Sequence, residues 1–138
     1  MTDAAKLRAL MASSPFHDFL GLELLELDPS GPSVTLGAKW RPGFEREPGS
    51  KQWHGGVLAA VIDIAGAYAA FAKTGRGLPT VDLRIDYMRP AIDTDLRAEA
   101  KALRAGRTLG TVDVALRDKN GAIVAAGRGT YFTQSVSA

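Results

Sequence analysis

Trp53-His54-Gly55-Gly56-Val57-Leu58-Ala59-Ala60-Val61-Ile62-Asp63-Ile64-Ala65-Gly66-Ala67-Tyr68-Ala69-Ala70-Phe71-Ala72-Lys73 is the stretch whose reading decides the fold. Between Gly56 and Ala72 its only charge is Asp63. A helix that is apolar all round is a buried helix, so this segment reads as the centre of a domain. Eight small residues, Ala59, Ala60, Ala65, Gly66, Ala67, Ala69, Ala70 and Ala72, let other elements close tightly around it. Gly75, Gly77 and Pro79 end it, as glycine and proline past a helix C-terminus do.

Downstream the period changes from helical to strand-like. Val81, Leu83, Ile85 and Tyr87 alternate with Asp82, Arg84 and Asp86, the pattern of a half-buried strand. Leu96 to Leu103, then Val112, Val114 and Leu116, then Ala122 to Thr133 extend the series, with Asn120-Gly121 as a hairpin turn. Upstream, Gly21–Leu27 and Ser33–Trp40 flank the turn Asp28-Pro29-Ser30-Gly31-Pro32 and form a further antiparallel pair. Thr2–Ala12 reads as a short surface helix, and Pro15 opens a second one through Leu20. The predicted class is α+β: one long central helix wrapped by a curved antiparallel sheet of five or six strands. The chain reads as one domain, with residues 1–15 as a helical extension.

Composition narrows the function. The chain has 138 residues, 46% hydrophobic and 23% charged, with a net charge of +2. It has no cysteine, which excludes disulfides, thiolate nucleophiles and Cys-based metal sites. Lys and Arg are scattered, and no basic helix points to nucleic acid. The N-terminus shows no signal peptide. The apolar run Val57–Ala72 spans 16 residues, short of the roughly 20 that cross a bilayer. A cytoplasmic protein without membrane or nucleic-acid partners is the expectation.

Asp63 is what a structural helix does not explain. A carboxylate in such surroundings is costly without a partner or a job. His54-Gly55-Gly56 sits where the helix starts, and the first backbone N–H groups of a helix have no intrahelical acceptor. The helix dipole adds positive character there, and glycine admits a close ligand, so the site suits an oxyanion. Gly55 and Asp63 are eight residues apart, or about 12 Å at the helical rise. One reacting carbon cannot touch both in one chain. Two antiparallel copies of the helix in a twofold dimer would bring them together.

At these residues the chain resembles a known family. His54-Gly55-Gly56, then Asp63 in an Ala-rich helix, then Thr80-Val81-Asp82-Leu83-Arg84-Ile85-Asp86-Tyr87-Met88-Arg89-Pro90-Ala91 resemble the hotdog-fold acyl-CoA thioesterases of the PaaI-like, phenylacetate-pathway group. Gly106-Arg107, Asp118-Lys119-Asn120-Gly121, Ala125 and Gly127 agree with it. The resemblance implies an edge-to-edge homodimer, often a homotetramer, that hydrolyses a fatty or aromatic acyl-CoA without metal or other cofactor. It implies Asp63 as nucleophile or general base, the Gly55 N–H as carbonyl donor, His54 as an orienting group and Thr80 as the holder of the attacking water. Arg89, with Arg104 or Arg107, would meet the phosphates of coenzyme A. Gly56 and Trp53 fall in the substrate-binding stretch. The family's loop asparagine, six residues before the histidine, is Pro48 here. Glu47 and Gln52 are the candidates for its polar role. Phe44, Tyr68 and Tyr87 are candidate pocket aromatics. The competing readings are a non-catalytic acyl-CoA-binding module and, ranked lower, a dehydratase or hydratase of the same fold.

Overall fold

The computed structural model describes residues 3–28, 30–31 and 33–134. In chain order these form α1 (Ala4–Ser13), α2 (Pro15–Leu20), β1 (Glu23–Leu27), β2 (Ser33–Ala38), a 3-10 turn (Pro42–Phe44), α3 (Gly55–Thr74), β3 (Thr80–Tyr87), β4 (Leu96–Ala105), β5 (Leu109–Arg117) and β6 (Ile123–Phe132). Six strands make one sheet in the order β1-β2-β4-β5-β6-β3. Every neighbouring pair is antiparallel.

The alternation and the apolar helix explain each other. Leu96, Ala98, Ala100 and Ala102 of β4, and Val112, Val114 and Leu116 of β5, are buried against α3. Alanine dominates where β4 passes the helix, so the sheet approaches closely. Gly127 belongs to the same fit: a Cβ there would stand 2.6 Å from the Ile62 Cγ2. The other face of the sheet carries ions. Register aligns Lys101, Asp113, Arg128 and Arg84 across β4, β5, β6 and β3. Arg128 grips Asp113 with Nε at 2.6 Å and Nη2 at 2.9 Å. Apolar inside and charged outside is the pattern of a sheet with one covered face.

α1 is the expected surface helix, with one side seated in the core. Leu7 is fully buried and Met11 nearly so, and the Asp3 carboxylate caps the helix by accepting from the Lys6 N–H at 2.8 Å. It belongs to the same core as α3. In the first turn, Pro29 and Pro32 lie outside the described residues, while Asp28 accepts from the Ser30 N–H at 2.8 Å. At the second turn Gly121 takes φ +81°, and the Asp118 carboxylate accepts from the Asn120 and Ala122 N–H groups. α3 is long and apolar enough to cross a membrane, and the sheet buries more than half of it as the core helix.

Candidate active site

The site is built from two parts of α3. The first is its N-terminus. His54 is the N-cap, and its Nδ1 accepts from the Gly56 N–H at 2.9 Å. Satisfying that orphan donor is worth roughly 1 kcal/mol. It also explains Gly56, because a Cβ there would sit 3.1 Å from Nδ1. The Gly56 N–H is therefore occupied. The carbonyl of His54 takes the N–H groups of Val57 and Leu58. The Gly55 N–H has no acceptor among the described residues. The carbonyl of Gly55 is fixed from the other side, by the Tyr87 hydroxyl at 2.9 Å.

A cavity of about 460 Å³ opens at this end, lined by Arg46, Gln52, Gly55, Tyr87, Met88 and Arg89 among others. Arg46 and Arg89 are exposed and make no ion pair among the described residues. The cavity thus joins a free backbone donor to two uncompensated cations. Trp53 also borders it. Its ring is 1% exposed, its indole N–H donates to the Thr94 carbonyl at 2.8 Å, and it stacks on Phe44. Trp53 and Phe44 are pillars beneath the cavity.

The loop before His54 is organised by Glu45. Its carboxylate accepts from the Gly49 and Lys51 N–H groups at 2.5 and 3.0 Å. Glu47 is exposed, with its carbonyl accepting from the Ser50 N–H. Gln52 bridges to Ile92, and its carbonyl accepts from the Arg46 N–H. Lys51 (φ +54°) and Asp93 (φ +47°) are both left-handed and join through the Asp93 N–H to the Lys51 carbonyl at 3.0 Å.

The second part is the turn around Asp63. Its side chain is half-buried. The Thr80 hydroxyl donates to Oδ1 at 2.7 Å. Strict alternation on β3 would put Thr80 on the outer face with Asp82 and Arg84. A bulge between Thr80 and Asp82 shifts the register, so Thr80 pairs with the inward Tyr131 and points at Asp63. Re-aiming a side chain beside a site is what bulges do. Tyr131 is fully buried, and its hydroxyl donates to the Asp63 carbonyl at 2.9 Å and lies 3.5 Å from Oδ1. Gly66 and Gly129 make its slot, since a Cβ on either would collide with the ring or hydroxyl. Burial and the Asp63 charge push the Tyr131 pKa up, so the phenol stays protonated.

His17 also lies within reach of the Asp63 charge. From α2 its Nδ1 sits 2.8 Å from the Tyr68 hydroxyl, with the rings edge-on at 5.4 Å. Burial pushes the Tyr68 pKa up to about 12, so the hydroxyl stays protonated. Burial lowers the His17 pKa while the charge of Asp63 opposes that shift. Sequence reasoning also missed Arg46, Tyr87 as a backbone partner, and Tyr131. None carries a local motif: Tyr87 and Tyr131 act through long-range contacts, and the loop brings Arg46 to the cavity.

Arg104 and Arg107 are placed elsewhere. The β4–β5 turn is tied to Thr133 through Gly106 and Thr108, and Arg76 beyond α3 reaches the same Thr133. That is the C-terminal end of α3, roughly 30 Å by helical rise from the Arg89 end. Within one chain the three arginines do not meet. No group of His, Asp or Glu suited to a metal occurs among the described residues.

A sequence profile of the thioesterase superfamily matches residues 51–125, the stretch holding the α3 cap, Asp63, Thr80 and Arg89. The chain belongs to the thioesterase superfamily, a family of thioester hydrolases. A putative esterase of Halobacterium salinarum is 34% identical over 94 residues, 61% of this chain and 62% of that protein. The chain thus spans less than two thirds of that relative's length. The medium/long-chain acyl-CoA thioesterase YigI of Escherichia coli is 26% identical over 132 residues, covering 85% and 84% of the two chains. Among solved structures, a thioesterase-superfamily protein aligns at 40% identity and TM-score 0.81 over 89% of this chain and 96% of its own. A point-mutant form of the phenylacetic acid degradation protein PaaI from Thermus thermophilus aligns at 28% identity and TM-score 0.75, over 86% and 98%. The architecture is that of the hotdog thioesterases.

Proposed function

We propose that this superfamily member is an acyl-CoA thioesterase working as a homodimer, each site joining the α3 N-terminus of one copy to Asp63 of the other. One observation carries the reading. The unoccupied Gly55 N–H and the Thr80-held Asp63 carboxylate are both disposed for chemistry, yet stand about two helical turns apart in one chain. In the reaction, the Gly55 N–H would hold the thioester oxygen, whose charge grows as the carbonyl carbon becomes tetrahedral. Asp63 acts either as the nucleophile or as the base toward a water held by Thr80. In the second route the water adds its oxygen to the carbon and its proton to Asp63. The C–S bond then breaks, and the proton passes to the leaving thiolate. Arg46 and Arg89 lie where a charged coenzyme A would enter. Tyr87 and Met88, both half-exposed on the cavity wall, suit the apolar part of the substrate.

Pro48 in place of the loop asparagine favours a second reading, an acyl-CoA-binding module without turnover. Thiol release from short-chain, long-chain and aryl acyl-CoAs separates the two, measured on the wild type and on Asp63→Asn. The enzyme reading expects release by the wild type and a fall in kcat of about 10²–10⁴-fold in the variant, with binding retained. Binding without release by the wild type would sink it.

A further inference from the structure

We infer that Tyr87 is a positioning residue for the carbonyl donor, its hydroxyl locking the backbone that carries the Gly55 N–H; this rests on the thioesterase reading above for what the donor does, and adds what holds it still. Gly55 and Gly56 open α3, so the donor sits on two consecutive residues with the widest backbone freedom of any. Helix ends fray. A donor aimed at a developing charge is effective only when it is already fixed before the reaction. Gly56 cannot be exchanged for a stiffer residue, because a Cβ there would stand 3.1 Å from the His54 Nδ1. The rigidity must come from side chains.

Two side chains supply it, and both act on one peptide group. The amide joining Gly55 to Gly56 has its N–H bound by the His54 Nδ1 at 2.9 Å. Its carbonyl accepts from the Tyr87 hydroxyl at 2.9 Å. His54 is the neighbour of Gly55 and moves with it. Tyr87 stands 32 residues away in sequence, as the last residue of β3, and its own backbone is anchored. It pairs with Ala125 of β6, and the N–H groups of Met88 and Arg89 donate to the Val124 carbonyl at 2.9 and 3.2 Å. Tyr87 thus ties the helix end to the sheet. The nearby tie, from the Trp53 N–H to the Ala91 carbonyl at 2.9 Å, holds the chain only before the glycines. The Tyr87 ring also packs over the donor residue: a Cβ on Gly55 would lie 3.6 Å from Cε1 and 3.8 Å from the hydroxyl oxygen. Thr80 at the other end of β3 holds the Asp63 carboxylate, so one strand fixes the donor at one end and the carboxylate at the other. A side chain that only lined the cavity would need the ring and not the hydroxyl.

Tyr87→Phe keeps the ring and removes the hydroxyl. Tyr87 is 53% exposed, so the fold should be unaffected. With an acyl-CoA that the wild type hydrolyses, kcat should fall roughly five- to tenfold, the worth of one hydrogen bond, at unchanged KM. Tyr87→Leu should lose as much in kcat and raise KM as well, because the ring wall goes too. Amide hydrogen exchange followed by NMR reads the lock directly. Tyr87→Phe should speed exchange of the Gly56 N–H by a similar factor and leave the amides of the central strand β5 unchanged. Wild-type kcat in Tyr87→Phe overturns the inference. So does a fall in kcat with Gly56 exchange unchanged, since the hydroxyl would then act on the substrate itself. Equal acceleration at Gly56 and in β5 is general loosening and overturns it too. A wild type that releases no thiol refutes the thioesterase reading alone, and Gly56 exchange then decides the lock.

Discussion

The α3 N-terminus and the Asp63 turn lie on one helix and are built in opposite ways. At the N-terminus most groups are spent on shaping the chain: His54 takes the Gly56 N–H, and Tyr87 takes the Gly55 carbonyl. What remains is one N–H facing a cavity flanked by Arg46 and Arg89. At Asp63 the reactive group is itself held, by Thr80 in front and Tyr131 behind. One region offers a donor and space; the other offers a fixed acceptor. In the proposed dimer each region supplies what the other lacks.

The sharpest way to break the N-terminal half is to delete its donor without disturbing the helix. Gly55 is the first residue of α3, a position where proline is tolerated because its missing N–H had no partner. His54 has ψ 134°, the conformation that favours a following proline. Gly55→Pro should therefore fold, with the circular dichroism of the wild type, and lose about 10²–10³-fold in kcat. Near-normal turnover would remove the donor from the account.

The cationic rim should show a smaller effect of a different kind. Arg46→Ala combined with Arg89→Ala should raise KM roughly tenfold with little change in kcat, since exposed charges act on binding at about 1 kcal/mol or less each. Added salt should raise the wild-type KM toward that of the variant. A fall in kcat at constant KM would contradict this division of labour.

The Asp63 half is tested through its support. Gly66→Ala gains helix propensity but drives a Cβ into the Tyr131 hydroxyl. Overpacking outweighs the gain, so a net loss of about 1–2 kcal/mol is expected in urea unfolding. An unchanged or raised stability would show that Tyr131 is free to shift.

The smallest effect is a pH dependence. The folded His17 has its pKa below the unfolded value near 6.5, so the unfolded chain binds a proton more readily in that window. Stability should fall as the pH drops from about 6.5 through the folded pKa, and be unaffected by His17 above it. His17→Gln should flatten that part of the stability curve. The same slope in the variant would place its origin elsewhere.

The central helix, the succession of strands after it and the oddity of Asp63 were legible because each rests on local pattern: apolar composition, alternation, one misplaced charge. The proposal that two halves pair across a dimer rests on the spacing of Gly55 and Asp63. What stayed hidden depends on contacts between distant residues. Thr80 faces Asp63 only because a bulge breaks the alternation that its sequence obeys. Tyr131 reads as the last apolar position of a strand until the glycines of α3 and β6 are seen to clear a slot for it. Glu45 shapes the loop before His54 through hydrogen bonds that span four and six residues. Arg104 and Arg107 share a charge with Arg89 and stand at the opposite end of the helix.

Subunit mixing tests the two-part site most directly. Asp63→Asn and Gly55→Pro chains are inactive as separate preparations in this account, each defect touching both sites of its own dimer. Co-refolded in equal amounts they form mixed dimers in which one site pairs an intact Gly55 with an intact Asp63. Random assortment should restore about a quarter of the wild-type activity. A mixture as inactive as its components, with mixed dimers shown to have formed, would place the whole site within one chain and contradict the account.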